Sequence, residues 1–110
     1  MNFGEYQSLA KTTAIYPRDG INGVLYTSLG MANEAGEVVG KVKKMMRDDS
    51  LTMTTERRDQ IAAEIGDVLW YCAMLAEELS LDLGQIAENN VAKLLDRKNR
   101  NAISGDGDNR

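Results

Sequence analysis

Glu64-Ile65-Gly66-Asp67-Val68-Leu69-Trp70-Tyr71 reads as the middle of a long helix. Around it, Ile61, Ile65, Val68, Cys72, Leu75 and Leu79 recur three and four residues apart, the period of one helical face. Thr54 or Thr55 supplies a cap, so the spacing predicts a helix over about 55–79. Glu64 and Asp67 are three apart and share a side of it. Upstream, Leu29-Gly30-Met31-Ala32-Asn33-Glu34-Ala35-Gly36-Glu37-Val38 carries a second acidic pair, Glu34 and Glu37. Its surroundings are helical as well: Leu25, Leu29, Ala32, Val39, Val42 and Met46 keep the same spacing, which predicts a helix over about 22–47.

If these two helices pack antiparallel, four carboxylates converge. Like charges gathered in one place repel unless a cation holds them. Oxygen donors alone suit a hard ion, Mg²⁺ or Mn²⁺. The chain has no histidine, which argues against zinc and against the Glu-x-x-His pairs of a ferritin-like di-metal oxidase. Both pairs fall at the edge of an apolar stripe, with Lys41 beside the first and Tyr71 one turn after the second. A site there is partly shielded and still admits a ligand. One such pair alone is usually a solvated face; two on consecutive long helices point to a metal site.

The remaining sequence bounds the rest. A chain of 110 residues makes one domain. Its 43% apolar and 27% charged residues are ordinary for a globular protein. A net charge of −4 gives no electrostatic footing for duplex nucleic acid. No apolar run is long enough to span a bilayer and no signal-peptide pattern is evident, so the expectation is a cytoplasmic protein without membrane contact. The single cysteine, Cys72, reads as a small core residue. A first helix is predicted over about 2–13, then a break at Tyr16-Pro17-Arg18-Asp19-Gly20. Ser80 is the expected cap of a fourth helix over about 81–101, with Leu83, Ile86, Val91, Leu94 and Leu95 on its apolar side. The expected architecture is all-α and of the four-helix-bundle type: a helical domain over 1–101 and a small, polar, flexible tail over 102–110. Ala63, Gly66, Trp70 and Ala73 give the third helix a second apolar side. A helix apolar on two sides needs two partners, and a second subunit is favoured over the N-terminal helix as the cover.

These motifs resemble those of the MazG-like nucleoside triphosphate pyrophosphohydrolases, in the all-α NTP pyrophosphohydrolase superfamily. The resemblance covers nearly the whole chain. Leu29 to Val38 followed by Lys43-Lys44 is similar to the family's first motif, and Glu64 to Tyr71 to its second. Asn90, Lys93 and Arg97, spaced N-x-x-K-x-x-x-R, are similar to the third, and Gly105-Asp106-Gly107-Asp108-Asn109-Arg110 to the ending of short members. The resemblance implies a helical bundle that forms a homodimer or a dimer of dimers. It also implies Mg²⁺-dependent hydrolysis of a (deoxy)nucleoside triphosphate to the monophosphate and pyrophosphate, by water attack at the α-phosphate.

Under that resemblance, Glu34, Glu37, Glu64 and Asp67 are the expected metal ligands and catalytic acids. Asn90, Lys93 and Arg97 are the expected phosphate-binding line. Tyr71 is a candidate contact to sugar or phosphate, and Asn109 and Arg110 are candidates to close over bound nucleotide. Two rivals keep the scaffold but change the reaction: dUTP hydrolysis and phosphoribosyl-ATP hydrolysis. A third, a non-catalytic helical interaction module, is opposed by the intact set of four acids.

Overall fold

The computed structural model describes all 110 residues and contains four helices and no strand: α1 (Phe3–Lys11), α2 (Asn22–Asp48), α3 (Thr55–Glu78) and α4 (Leu83–Asn99). The helix starts follow side-chain chemistry. Asn2 caps α1 by accepting from the Glu5 amide at 2.8 Å. Thr54 caps α3 by accepting from the Arg57 amide at 3.1 Å. Ser80 does not cap α4, contrary to expectation. It lies in the left-handed region, φ 55°, and closes α3 instead: its amide donates to Glu77 O and the Leu81 amide to Ala76 O. That double closure is the Schellman ending of a helix. The cap falls to Asp82, which accepts from the Gly84 amide at 2.8 Å.

Contacts between α2 and α3 run from Gly23–Glu78 through Gly30–Tyr71 and Met31–Cys72 to Lys41–Glu64, so the two long helices are antiparallel. Their approach depends on small residues. A Cβ on Gly30 would sit 2.1 Å from Tyr71 Cε1, and one on Gly23 would sit 2.3 Å from Glu78 Oε2. Between them, Thr27 is fully buried, and its hydroxyl donates to Gly23 O at 2.7 Å. The buried core is Ala10, Tyr16, Ala73, Met74, Ala76 and Leu83, where α1 and the Tyr16 segment meet the end of α3 and the start of α4. Gln7 ties this corner together: its amide nitrogen donates to Leu81 O at 2.9 Å, and its oxygen accepts from the Leu83 amide at 2.8 Å.

Within one chain the helices stay open. Only 10 of 110 residues are buried. The radius of gyration is 16.9 Å, against about 13 Å for a compact chain of this size. Helix α4 touches α1 and α3, but α2 and α4 do not meet. The face that α2 turns to α3 is built from Gly23, Thr27, Gly30, Met31, Glu34 and Lys41. The apolar stripe read from its sequence therefore points away: Leu29 is 71% exposed and Val39 67%, and Leu25, Val42 and Met46 are exposed too. Ile86, Val91, Leu94 and Leu95 of α4 are likewise exposed.

Trp70 departs from expectation in the other direction. Its indole N–H donates to Thr13 Oγ1 at 2.9 Å, and its ring packs edge-on with Tyr16 and Tyr71. The chain's own N-terminal segment thus covers it. Ala73 is fully buried in the same way, while Ala63 and Gly66 stay exposed. The side of the molecule that lacks a partner is the α2 stripe, not Trp70.

Candidate metal centre

Antiparallel packing brings Glu34 of α2 opposite Glu64 and Asp67 of α3. One carboxylate oxygen from each lies within 4.8 Å of the others. Glu34 and Glu64 are half-buried and Asp67 is exposed. The fourth expected ligand, Glu37, is exposed and stands outside this group, one turn further along α2. A single cation borders the cluster: Lys41 Nζ lies 3.8 Å from Glu64 Oε1.

Three carboxylates with one loosely placed ammonium are short of positive charge. Glu34 registers the deficit. Burial, then the charges of Asp67, Glu64 and Glu37, push its carboxyl above the usual range. An all-oxygen donor set short of positive charge fits a hard divalent cation. Glu34, Glu64 and Asp67 are the residues that would hold it, and Glu37 lies within electrostatic reach.

The acids open into a cleft of roughly 320 Å³ lined by Glu34, Asp67, Trp70 and Tyr71. Tyr71 stacks at a tilt against Tyr26, with centroids 6.2 Å apart, and edge-on against Trp70 at 5.0 Å. Burial first, then Tyr26 and the charges of Glu34 and Asp67, raise its hydroxyl above the ordinary phenol range. It therefore stays protonated, and is a donor, at neutral pH. Tyr26 continues into Tyr16, with rings parallel and centroids 4.9 Å apart. Tyr16 is anchored by its hydroxyl donating to Glu78 Oε1 at 2.6 Å. Sequence reasoning passed over Tyr16, Tyr26 and Glu78. One signal was available: an aromatic residue directly before Pro17 in a polar break has to find cover somewhere.

Other expected residues lie elsewhere. Asn90 and Lys93 line a separate hollow with Ile86 and Asn89, and that hollow shares no residue with the acidic cleft. Arg97 is buried, only 5% exposed. Its guanidinium donates to Asp108 O and to Asp108 Oδ1. Lys93 Nζ donates to the same Asp108 Oδ1 at 2.8 Å. Asn109 is exposed, and the Arg110 guanidinium folds back on Ile103 O and Gly107 O. Neither reaches the acids. No helix is long and apolar enough to cross a membrane.

The family model of the MazG nucleotide pyrophosphohydrolase domain matches residues 24–101, which span both acidic helices and the N-x-x-K-x-x-x-R line. The chain is also similar to the Gene 37 protein of Mycobacterium phage L5, 46% identical over 114 residues and covering all of both chains. No solved structure gives a significant match.

Proposed function

The chain belongs to the MazG nucleotide pyrophosphohydrolase family, and on that premise we propose that it hydrolyses a (deoxy)nucleoside triphosphate to the monophosphate and pyrophosphate. The observation that carries this reading is the convergence of Glu34, Glu64 and Asp67 within 4.8 Å, beside a cleft wide enough for part of a nucleotide. A Mg²⁺ or Mn²⁺ ion held by Glu34, Glu64 and Asp67 would supply charge neutralisation for the phosphates and make water more acidic. The chain's residues do the rest. Water attacks the α-phosphorus, the bond from that phosphorus to the α–β bridging oxygen breaks, and pyrophosphate leaves. A carboxylate of the first pair takes the proton of the attacking water. Glu37, outside the three-carboxylate group, has oxygens free for that role. Tyr71 donates its hydroxyl to sugar or phosphate. Asn90, Lys93 and Arg97 bind phosphate oxygens.

In a single chain the N-x-x-K-x-x-x-R line does not meet the acidic cleft: the hollow of Asn90 and Lys93 shares no residue with it, and Arg97 is engaged by the tail. We infer that a second copy covers the exposed α2 stripe and brings its own α4 toward the acids, as a homodimer or a dimer of dimers. Exposed contiguous apolar surface of this kind marks an interface. The tail acts in the same reaction: Asn109 and Arg110, once released, fold over the nucleotide. Removing Ser104 to Arg110 is then expected to lower kcat/KM more than about tenfold, or roughly 1.4 kcal/mol of transition-state binding. A cytoplasmic enzyme is the consistent setting.

The test is incubation of the protein with each ribo- and deoxyribonucleoside triphosphate, including dUTP, and with phosphoribosyl-ATP, in Mg²⁺. Pyrophosphate is measured with and without excess chelator. Metal-dependent pyrophosphate release from at least one nucleoside triphosphate is the expected result. Release from phosphoribosyl-ATP alone moves the reading to that sibling reaction. No release from any substrate removes the enzymatic reading.

A further inference from the structure

The last nine residues are a folded element. Asn101, φ 55°, ends α4 by a Schellman closure, with Ala102 N donating to Arg97 O at 2.7 Å. Gly105 and Gly107 then take φ of 119° and 81°, conformations that L side chains rarely adopt. These turns bring the chain back over α4. Arg110 locks the loop through Ile103 O and Gly107 O, and Arg100 Nη2 donates to Arg110 O at 2.9 Å.

The loop delivers one group to one place. The Asp108 carboxylate bridges Lys93 Nζ at 2.8 Å and Arg97 Nη2 at 3.1 Å. These are the two cations of the N-x-x-K-x-x-x-R line. Arg97 is buried under the loop, whereas the Asp108 side chain is 74% exposed. Arg100, a third cation at this end, is paired with Asp96 of α4 at 2.9 Å, while Lys98 is exposed and makes no ion pair. With the tail docked, the Lys93–Arg97 pair is engaged by a carboxylate and is not open to a polyanion.

We propose that Asp108 is a built-in stand-in for phosphate, so that a polyphosphate chain uses the Lys93–Arg97 pair only by displacing the tail. This rests on the assignment of Lys93 and Arg97 to phosphate made above. An exposed carboxylate on two cations is held weakly. A triphosphate carries several negative charges and fork-compatible oxygens, so it is able to win the exchange. Displacement would free Asn109 and Arg110 at the moment that nucleotide arrives. The tail is thus both an autoinhibitory contact and the origin of a closing strap.

The experiment is titration of the full-length protein with inorganic tripolyphosphate in chelator, followed by calorimetry and ³¹P NMR. Without divalent metal, binding through the acidic cleft is suppressed. Asp108→Asn is expected to raise tripolyphosphate affinity about fivefold, the scale of one exposed ion pair. Asp106→Asn removes the same charge from the tail but touches neither cation, and is expected to behave as wild type. Lys93→Gln combined with Asp108→Asn is expected to lose the gain. Equal affinity in Asp108→Asn and wild type overturns the proposal. So does an equal gain in Asp106→Asn, or a gain that survives Lys93→Gln. The two readings fail separately: a protein that hydrolyses no nucleoside triphosphate can still show the Lys93-dependent gain, and an active enzyme can lack it.

Discussion

The acidic cleft between α2 and α3 and the basic end of α4 are opposites in charge balance. In the cleft, Glu34, Glu64 and Asp67 crowd within 4.8 Å, and the adjoining cation, Lys41, is 3.8 Å from Glu64. At the end of α4, Lys93 and Arg97 share the Asp108 carboxylate of the tail, and Arg100 pairs with Asp96 of α4 itself. The first region is left unneutralised by the fold and calls for a cation from outside. In the second, Asp108 already occupies the Lys93–Arg97 pair, which on our proposal must be opened before a polyphosphate uses it. Charge pairing in the free protein therefore separates a site held ready from a site held shut.

The comparison breaks most severely at Glu64. Glu64→Gln keeps shape and removes charge from the cleft. It is expected to reduce pyrophosphate release by at least about a hundredfold, or roughly 2.7 kcal/mol of barrier. Its helical circular dichroism should be unchanged and its Tm equal or higher, because repulsion falls. Full activity in this variant would make the cleft a decorated surface. Next in size is assembly. Leu29→Glu with Val39→Glu puts two charges on the exposed α2 stripe and is expected to convert an oligomer to monomers by light scattering, with loss of activity on dilution. A wild-type monomer at micromolar concentration contradicts the shared-site reading.

A smaller effect sharpens the geometric side. Gly→Ala within a helix ordinarily stabilises by about 1 kcal/mol. At Gly30 the new Cβ would collide with Tyr71, so Gly30→Ala is expected to destabilise by about 1–3 kcal/mol instead. Chemical denaturation decides the sign, and stabilisation would show that Tyr71 moves freely. The smallest effect is at the closed end. The Lys93 ammonium, then Arg97, hold the Asp108 carboxyl below its ordinary range. A lowered carboxyl favours the docked tail above its free pKa, and that preference is lost as pH falls through the lowered value. NMR shifts of Gly105 and Gly107 are expected to stay docked-like from neutral pH into the ordinary carboxylate range and to change only below it. A transition near neutrality would mean that Asp108 is not what holds the tail.

Much of this contrast was legible in the sequence. Helical periodicity found all four helices, and the two acidic pairs named the three carboxylates that converge, with Glu37 left outside the group. Two things were hidden for physical reasons. Periodicity identifies an apolar face but not what covers it, so the Leu29–Val39 stripe gave no sign that α3 would choose the Gly23–Thr27–Gly30 side. Small residues permitted a closer approach there than large apolar ones would. The tail was hidden because Gly and Asp read alike in a disordered end and in a tight loop. Only the left-handed turns at Gly105 and Gly107 bring Asp108 back to Lys93. Ser80 shows the same ambiguity at small scale, since a polar residue between two helices can end one or begin the other.

The central claim, that the cleft between α2 and α3 takes a divalent cation, is tested most directly by Mn²⁺ titration followed by electron paramagnetic resonance. The free-ion signal is expected to fall in stoichiometric proportion to wild-type protein, with binding weakened at least tenfold in Glu64→Gln and unchanged in Asp108→Asn. Wild-type protein that leaves the Mn²⁺ signal untouched, or Glu64→Gln protein that quenches it as well as wild type, would contradict the claim.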